Sequence, residues 1–343
     1  MIPVLVVCPA RWSELHDTGE DHPERPARLD AVLNGVRCAG LGEAIVLDGG
    51  RGAFRHELAR VHRVSYLDSL CDLIAAGGRS LDPDTVLAAG SWEAALGSAG
   101  AGLSAMEALD RGEAASAFVA ARPPGHHATA TSGMGSCLLN NVAVTAAALA
   151  DRGERVLIVD WDVHHGNGTQ DIFWNDPRVM YVSTHEWPAY PGTGHAGEVG
   201  GPGAPGLTVN LPLPAGATGD VALAALDEIA WPVVDVFEPT WVLVSAGFDA
   251  HRDDPLADLG WSAGDFAALT RVVRRLVPKP SRLIAFLEGG YDLHALAMSA
   301  GATVAAMADQ AYAQIERPTS GGPGRQLIAG WARARSQAME RFT

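Results

Sequence analysis

Lysine is nearly absent from this chain. Lys279 is the only one, and the other basic residues are arginines without a run. Nucleic-acid binding leaves a footprint of clustered positive charge. With 25 basic against 40 acidic residues and a formal charge of −15, no such footprint exists, and direct DNA or RNA contact is not expected. An acidic surface favours solubility and also attracts cationic substrates such as amines or basic peptides. Paired cysteines are missing too. Cys8, Cys38, Cys71 and Cys137 show no CxxC spacing, which argues against a thiolate zinc site and a disulfide framework. No stretch reaches the ~18 apolar residues of a membrane-spanning helix. Residues 1–9 are apolar but too short for a secretory signal core, and no basic residue precedes them. No membrane association is expected, and a reducing cytoplasm is the expected location.

The rest is ordinary globular material: 48% hydrophobic and 19% charged residues exclude intrinsic disorder. Short apolar runs alternate with Ala-rich helical stretches. Val4–Cys8, 118–120, 156–159, 179–183, 207–211, 242–245 and 283–287 read as strands. Residues 27–36, 92–109, 141–152, 221–236, 263–276 and 293–310 read as helices, with Ser91 as an N-cap. Continuous apolar strands alternating with helices predict an α/β fold with a mainly parallel sheet covered on both faces. The Gly/Pro-rich stretch 190–214 reads as a functional loop leading into a strand, and the 318–324 cluster as the lead into a terminal helix. Residues 1–343 are expected to form one domain.

Four polar clusters each follow an apolar run: Arg122-Pro-Pro-Gly-His126-His127, Asp160-Trp-Asp162-Val-His164-His165-Gly-Asn167, Gly-Phe-Asp249-Ala-His251 and Glu288-Gly-Gly-Tyr291. In a parallel sheet, ligands bind beyond the C-terminal strand ends, so all four should converge on one edge. Asp160, Asp162 and His164 are spaced by two, which on an extended backbone sends them to one side. Asp and His ligate zinc and similar ions, and Asp249 from another strand can complete the set. Of His126 and His127, one can serve as general base and the other can protonate a leaving amine. Asp160 and Asn167 are candidates to fix their other ring nitrogens. Tyr291 can bring a phenol to a developing oxyanion. Any one cluster could be an accident; four at four strand ends are much harder to dismiss.

These motifs, with His22-Pro-Glu-Arg-Pro-Ala-Arg28 and Tyr190-Pro-Gly-Thr-Gly194, resemble the histone deacetylase and acetylpolyamine amidohydrolase superfamily over roughly residues 15–305. Asn167 and the Trp161 context are more similar to its class II branch and bacterial relatives. The resemblance implies an arginase/deacetylase fold with about eight strands. It implies hydrolysis of an N-acyl amide by one Zn²⁺, with Fe²⁺ or Co²⁺ also suited to the donors, held by Asp162, His164 and Asp249. It implies His126, His127 and Tyr291 as catalytic groups, with Asp160 behind His126 and Asn167 behind His127. A neutral Asn raises its histidine's pKa less than a carboxylate would. K⁺ is implied at Asp160, Asp162, His164, Ser183 and Thr184, and at Phe173, Asp176 and Val179. Arg28 matches an internal-channel arginine.

One position departs from the pattern. Where the family usually has Gly-Phe-Cys, this chain has Gly135-Ser136-Cys137. The resemblance places that wall of the substrate tunnel opposite Tyr190, so Ser136 predicts a wider or more polar tunnel. The expected substrate is an acyl-lysine, an acetylpolyamine or a small acyl amine; Glu20, Asp21 and Asp84 are candidate acids at the mouth. Nothing in the sequence sets the oligomeric state. Two other readings stay open. One is a two-manganese, arginase-like ureohydrolase, to which Asp249-Ala-His251 has a superficial likeness. The other is a non-catalytic acyl-lysine binding module.

Overall fold

Strands that are apolar without alternation can be buried only between two layers. The computed structural model, which describes residues 3–312 and 315–342, has that arrangement. Strands β1 (Val4–Val7), β2 (Ile45–Asp48), β3 (Ser116–Val119), β4 (Val156–Asp160), β5 (Val179–Glu186), β6 (Thr208–Leu213), β7 (Trp241–Ala246) and β8 (Leu283–Leu287) form one sheet. The order is β2-β1-β3-β8-β7-β4-β5-β6, and every pairing is parallel. This is the expected arginase/deacetylase α/β architecture.

Strand alternation sorts the side chains into two cores. Leu157 and Val159 of β4 enter one core, and Val156 and Ile158 enter the other. The first core is closed by helices Ala27–Cys38, Ala263–Leu276 and Leu293–Met307, and the second by Val64–Ala75, Ser91–Asp110 and Asn141–Ala150. Burying one such Val or Leu side chain contributes about 1.5–3 kcal/mol before conformational entropy is counted. No helix among the described residues is long and apolar enough to cross a membrane.

Three local expectations fail for physical reasons. Strand β2 was not anticipated: it is a four-residue edge strand with Val46 and Leu47 exposed, so its apolar run is short and half solvated. The single helix expected over 221–236 is broken into Gly219–Ala225, a wide π-type turn over Leu226–Ala230, and Trp231–Phe237. Pro232 supplies no amide hydrogen and crowds the preceding turn, so the helix widens there. Ser91 is the first helical residue and not the cap; its hydroxyl accepts the Ala88 amide at 2.7 Å and meets His16 Nδ1 at 2.7 Å.

The Ala27–Cys38 helix carries Arg28, and the Leu293–Met307 helix follows directly on Tyr291. They cross at Gly35 and Gly301, where a Cβ on Gly35 would run into the backbone carbonyl of Ala297. Backbone cannot yield as a flexible side chain does, and overpacking of this kind costs about 1–3 kcal/mol. Gly35→Ala is therefore expected to lower unfolding stability by about that amount in urea melts. An unchanged midpoint would show that the two helices separate freely.

Candidate active site

The four clusters follow β3, β8, β7 and β4, which are adjacent in the middle of the sheet. Their C-terminal ends open on the same edge, as chain order predicted. Asp162, His164 and Asp249 come together there, with their ligand atoms within 4.8 Å of one another. His164 Nδ1 lies 3.2 Å from Asp162 Oδ1 and 3.1 Å from Asp249 Oδ2. The expected cause was only partly right. Asp160 ends β4, but Asp162 and His164 lie in bends beyond the strand. Local hydrogen bonds set their direction: the His164 amide donates to Asp162 Oδ1 at 2.9 Å. The Gly289 amide donates to Asp162 Oδ2 at 2.7 Å, and the Val163 amide to Asp249 Oδ1 at 2.9 Å. Gly247 and Gly289 leave the space the carboxylates occupy, since a Cβ on either would collide with them.

The electrostatics ask for a cation. Burial pushes Asp249 up to about 7, Asp162 adds to the rise, and His164 opposes it. Burial also opposes ionisation of Asp162, but His126 and His164 outweigh it and hold that carboxyl well below its usual range. Burial disfavours charge on His164, yet its contacts with both carboxylates drive its pKa well up. Two buried carboxylates and one partly buried imidazole fit a divalent ion such as zinc.

The tandem histidines lie beside this group with ring centroids 4.1 Å apart. His126 Nδ1 meets Asp160 Oδ2 at 3.0 Å, and His127 Nδ1 meets Asn167 Oδ1 at 2.8 Å. Their environments split them. Burial disfavours charge on His126, but Asp162, Asp160 and Glu288 raise it to about 10. Burial, reinforced by His126 and His164, holds His127 well below its ordinary value. The surroundings thus favour charge on His126 and disfavour it on His127. Burial and the nearby Asp249 disfavour ionisation of the Tyr291 phenol, so its hydroxyl hydrogen is available to donate.

Arg28, Glu24 and Arg122 support the Tyr291 loop from beneath. Arg28 is fully buried, donates Nε to the Gly290 carbonyl at 2.6 Å, and sits 5.0 Å from the Tyr291 ring centroid. Glu24 bridges Arg28 at 3.0 Å and Arg122 at 2.7 Å. Glu288 accepts the Gly125 and His126 amides at 2.7 and 3.1 Å, fixing the turn before the histidines.

A cavity of about 280 Å³ reaches this group, lined by His127, Gly135, Ser136, His164, Tyr190 and Tyr291, with Asp84 and Leu256 also contributing. The Tyr190 ring stands edge-on to His127 at 5.1 Å. Gly135 has φ +55°, and a Cβ there would press on both His127 and Tyr190. Ser136 does line the cavity, but its hydroxyl donates to the Asp84 carbonyl at 2.9 Å. Its amide donates to Thr85 Oγ1 at 3.1 Å. Of the mouth acids, Asp84 lines the cavity; Glu20 and Asp21 are not among the lining residues.

Other anticipated residues fall as follows. Ser183 pairs with Asp160 across β4 and β5, and Thr184 follows it with a buried hydroxyl that has no hydrogen-bond partner among the described residues. Phe173 ends its helix, Asp176 accepts from Arg178 Nε at 2.9 Å, and Val179 begins β5. His251 turns away to Glu316 at 2.9 Å. Among the described residues, one group of three metal-type ligands forms. Roles for Glu24, Tyr181 and Asp254 were not anticipated. Tyr181 donates to Asp160 Oδ2 at 3.0 Å, and Asp254 receives the Tyr291 amide at 2.6 Å. A tyrosine inside an apolar strand was a usable signal for the first. Asp254 sits in an ordinary-looking acidic loop.

The family model described as histone deacetylase domain matches residues 22–307. The chain is 39% identical to a probable deacetylase of Archaeoglobus fulgidus over 309 residues, 88% of this chain and 86% of that protein. It is 38% identical to a histone deacetylase-like amidohydrolase of Pseudomonas aeruginosa over 277 residues, 79% of this chain and 72% of that one. The crystal structure of the HDA15 HD domain superposes with a TM-score of 0.87 at 31% identity, covering 99% of this chain and 95% of that one.

Glu24 offers a test of the support beneath Tyr291. Burial would raise its pKa, but Arg122 and Arg28 outweigh burial and lower it from 4.5 to about 2. A depressed carboxyl stabilises the fold above its unfolded value, and that contribution fades as pH falls through the folded value. Removing one member of a buried ion pair costs about 3–5 kcal/mol, which is the loss expected for Glu24→Gln at pH 7. The wild-type advantage in urea melts should then shrink as pH falls from 4.5 towards 2. A pH-independent gap would assign the effect to packing.

Proposed function

The chain belongs to the histone deacetylase family, and from that premise and the site geometry we propose that it is a metal-dependent deacylase of N-acylated amines. The observation that carries this is one cavity lined by His127, His164 and Tyr291, with Asp162 and Asp249 held against His164 and His126 stacked beside His127. We read the chain as a single catalytic domain. Zn²⁺ is the expected ion, and the oxygen and nitrogen donors also accept Fe²⁺ or Co²⁺. When bound, the ion polarises the acyl carbonyl and lowers the pKa of the attacking water. His127, neutral and oriented by Asn167, takes the proton from that water. Tyr291 donates its hydroxyl to the carbonyl oxygen as negative charge grows there. His126, cationic beside Asp160, protonates the amine nitrogen as the C–N bond breaks. A carboxylate and a free amine leave.

The substrate is read as acetyl-lysine, an acetylated polyamine or a small acyl amine. Asp84 at the cavity and the acidic surface favour an amine carrying further positive charge. A proposed K⁺ site takes Asp160, Asp162, His164, Ser183 and Thr184, and the unpartnered Thr184 hydroxyl supports it. A second would use Phe173, Asp176 and Val179 through carbonyls, since the Asp176 carboxylate is held by Arg178.

The direct test is a screen of acetylated lysine peptides, polyamines and small acyl amines with and without a chelator. Release of carboxylate that stops on chelation is expected. No release from any class would favour the binding-module reading. Tyr291→Phe should lower kcat by about 10²–10³-fold, the usual cost of one oxyanion donor. Ser136→Phe should shift relative rates towards acetyl over bulkier acyl groups, and Ser136→Ala should not. Equal relative rates in wild type and Ser136→Phe would contradict a tunnel widened at this position.

A further inference from the structure

The Glu288–Tyr291 loop is held on both sides by opposite charges. Arg28 takes its carbonyls, at Gly290 and Glu288. Asp254 takes its amides: Oδ2 accepts Tyr291 N at 2.6 Å and Asp292 N at 3.4 Å. The other oxygen, Oδ1, accepts the Leu256 amide at 3.0 Å. Asp254 is buried, with 7% of its surface exposed, and its own amide donates to the His251 carbonyl at 2.9 Å. Asp254 touches none of the three metal-type ligands in these hydrogen bonds. Leu256, on the same short loop, is 46% exposed and lines the cavity beside Tyr291.

Gly290, with φ +116°, precedes Tyr291, so the tyrosine follows a hinge that side-chain-bearing residues rarely adopt. Such a hinge does not aim the next residue by itself. The amide hydrogen bond to Asp254 is what fixes the Tyr291 backbone after the hinge. Asp292 then caps the following helix, accepting the Ala295 amide at 2.8 Å. Tyr291 thus sits between a carboxylate-fixed amide and a helix start, with Arg28 beneath its ring.

We propose that Asp254 is a positioning residue that holds Tyr291 in its donating pose and ties that pose to the Leu256 rim of the cavity. The inference rests on the proposed role of the Tyr291 hydroxyl. Asp254 forms no bond to substrate and works only through the loop. Charge-assisted acceptance of two amides is stronger than a neutral carbonyl can offer. Asn at 254 would retain one oxygen acceptor and turn an amino group towards the remaining donor.

The test is a double-mutant cycle on kcat, using a coumarin-labelled acetyl-lysine peptide as probe, with Asp254→Asn, Tyr291→Phe and the double variant. Metal content and thermal midpoint are measured on each protein. Asp254→Asn is expected to lower kcat about tenfold or more, with KM changing less than about threefold, the pattern of an interaction made in the transition state. In the Tyr291→Phe background the same change should have almost no further effect, because residues acting as a unit are non-additive. An additive loss in the double variant, or a kcat for Asp254→Asn equal to wild type, overturns the inference while leaving the Tyr291 role standing. Full activity in Tyr291→Phe overturns that role itself, and the inference with it. If Asp254→Asn fails to fold, Asp254→Glu carries the same comparison. It keeps the charge but shifts the carboxylate by one methylene, so a kcat loss absent in the Tyr291→Phe background is again required.

Discussion

The arrangement depends on balancing negative charge that is buried at one edge of a parallel sheet. Asp160, Asp162, Asp249, Glu288 and Glu24 are all within the protein, and none can face water. An isolated buried carboxylate costs several kcal/mol unless it is paired or neutralised. Glu24 is neutralised by two arginines and Asp160 by His126. Asp162 and Asp249 share the His164 ring, and His126 also faces Asp162 at 3.8 Å. Burial first, and then the neighbouring Asp162, raises the Asp249 pKa and disfavours its charge when no cation is present. A divalent ion meets the same demand and brings chemistry with it.

The same balance divides the histidines. His126 faces Asp160, and burial is outweighed there by the surrounding carboxylates; His127 meets Asn167, and burial with two neighbouring histidines lowers its pKa. Pairs of titratable groups pushed apart by their surroundings mark acid and base roles. Asn167, being neutral, adds no charge to this buried group while its Oδ1 meets His127 Nδ1 at 2.8 Å.

Much of this was legible in the sequence because polar clusters after apolar runs report strand ends. Parallel topology then sends those ends to one edge, whatever the strand order. The order itself, with β3, β8, β7 and β4 side by side, was not legible, since it depends on non-local pairing. Edge strand β2 escaped because one solvated side dilutes its apolar signal. Asp254 and Glu24 escaped because their role is to receive backbone amides or arginines from distant segments. No local spacing encodes such contacts. Ser136 was read as tunnel-lining, but only the structure shows its hydroxyl turned onto the Asp84 carbonyl.

The central claim is that Asp162, His164 and Asp249 form a one-ion site. The most direct measurement is the metal content of purified protein, by mass spectrometry after dialysis against metal-free buffer. One divalent ion per chain, lost in Asp249→Asn while the fold persists by circular dichroism, is the predicted result. Two ions per chain, or one ion retained in that variant, would contradict the account.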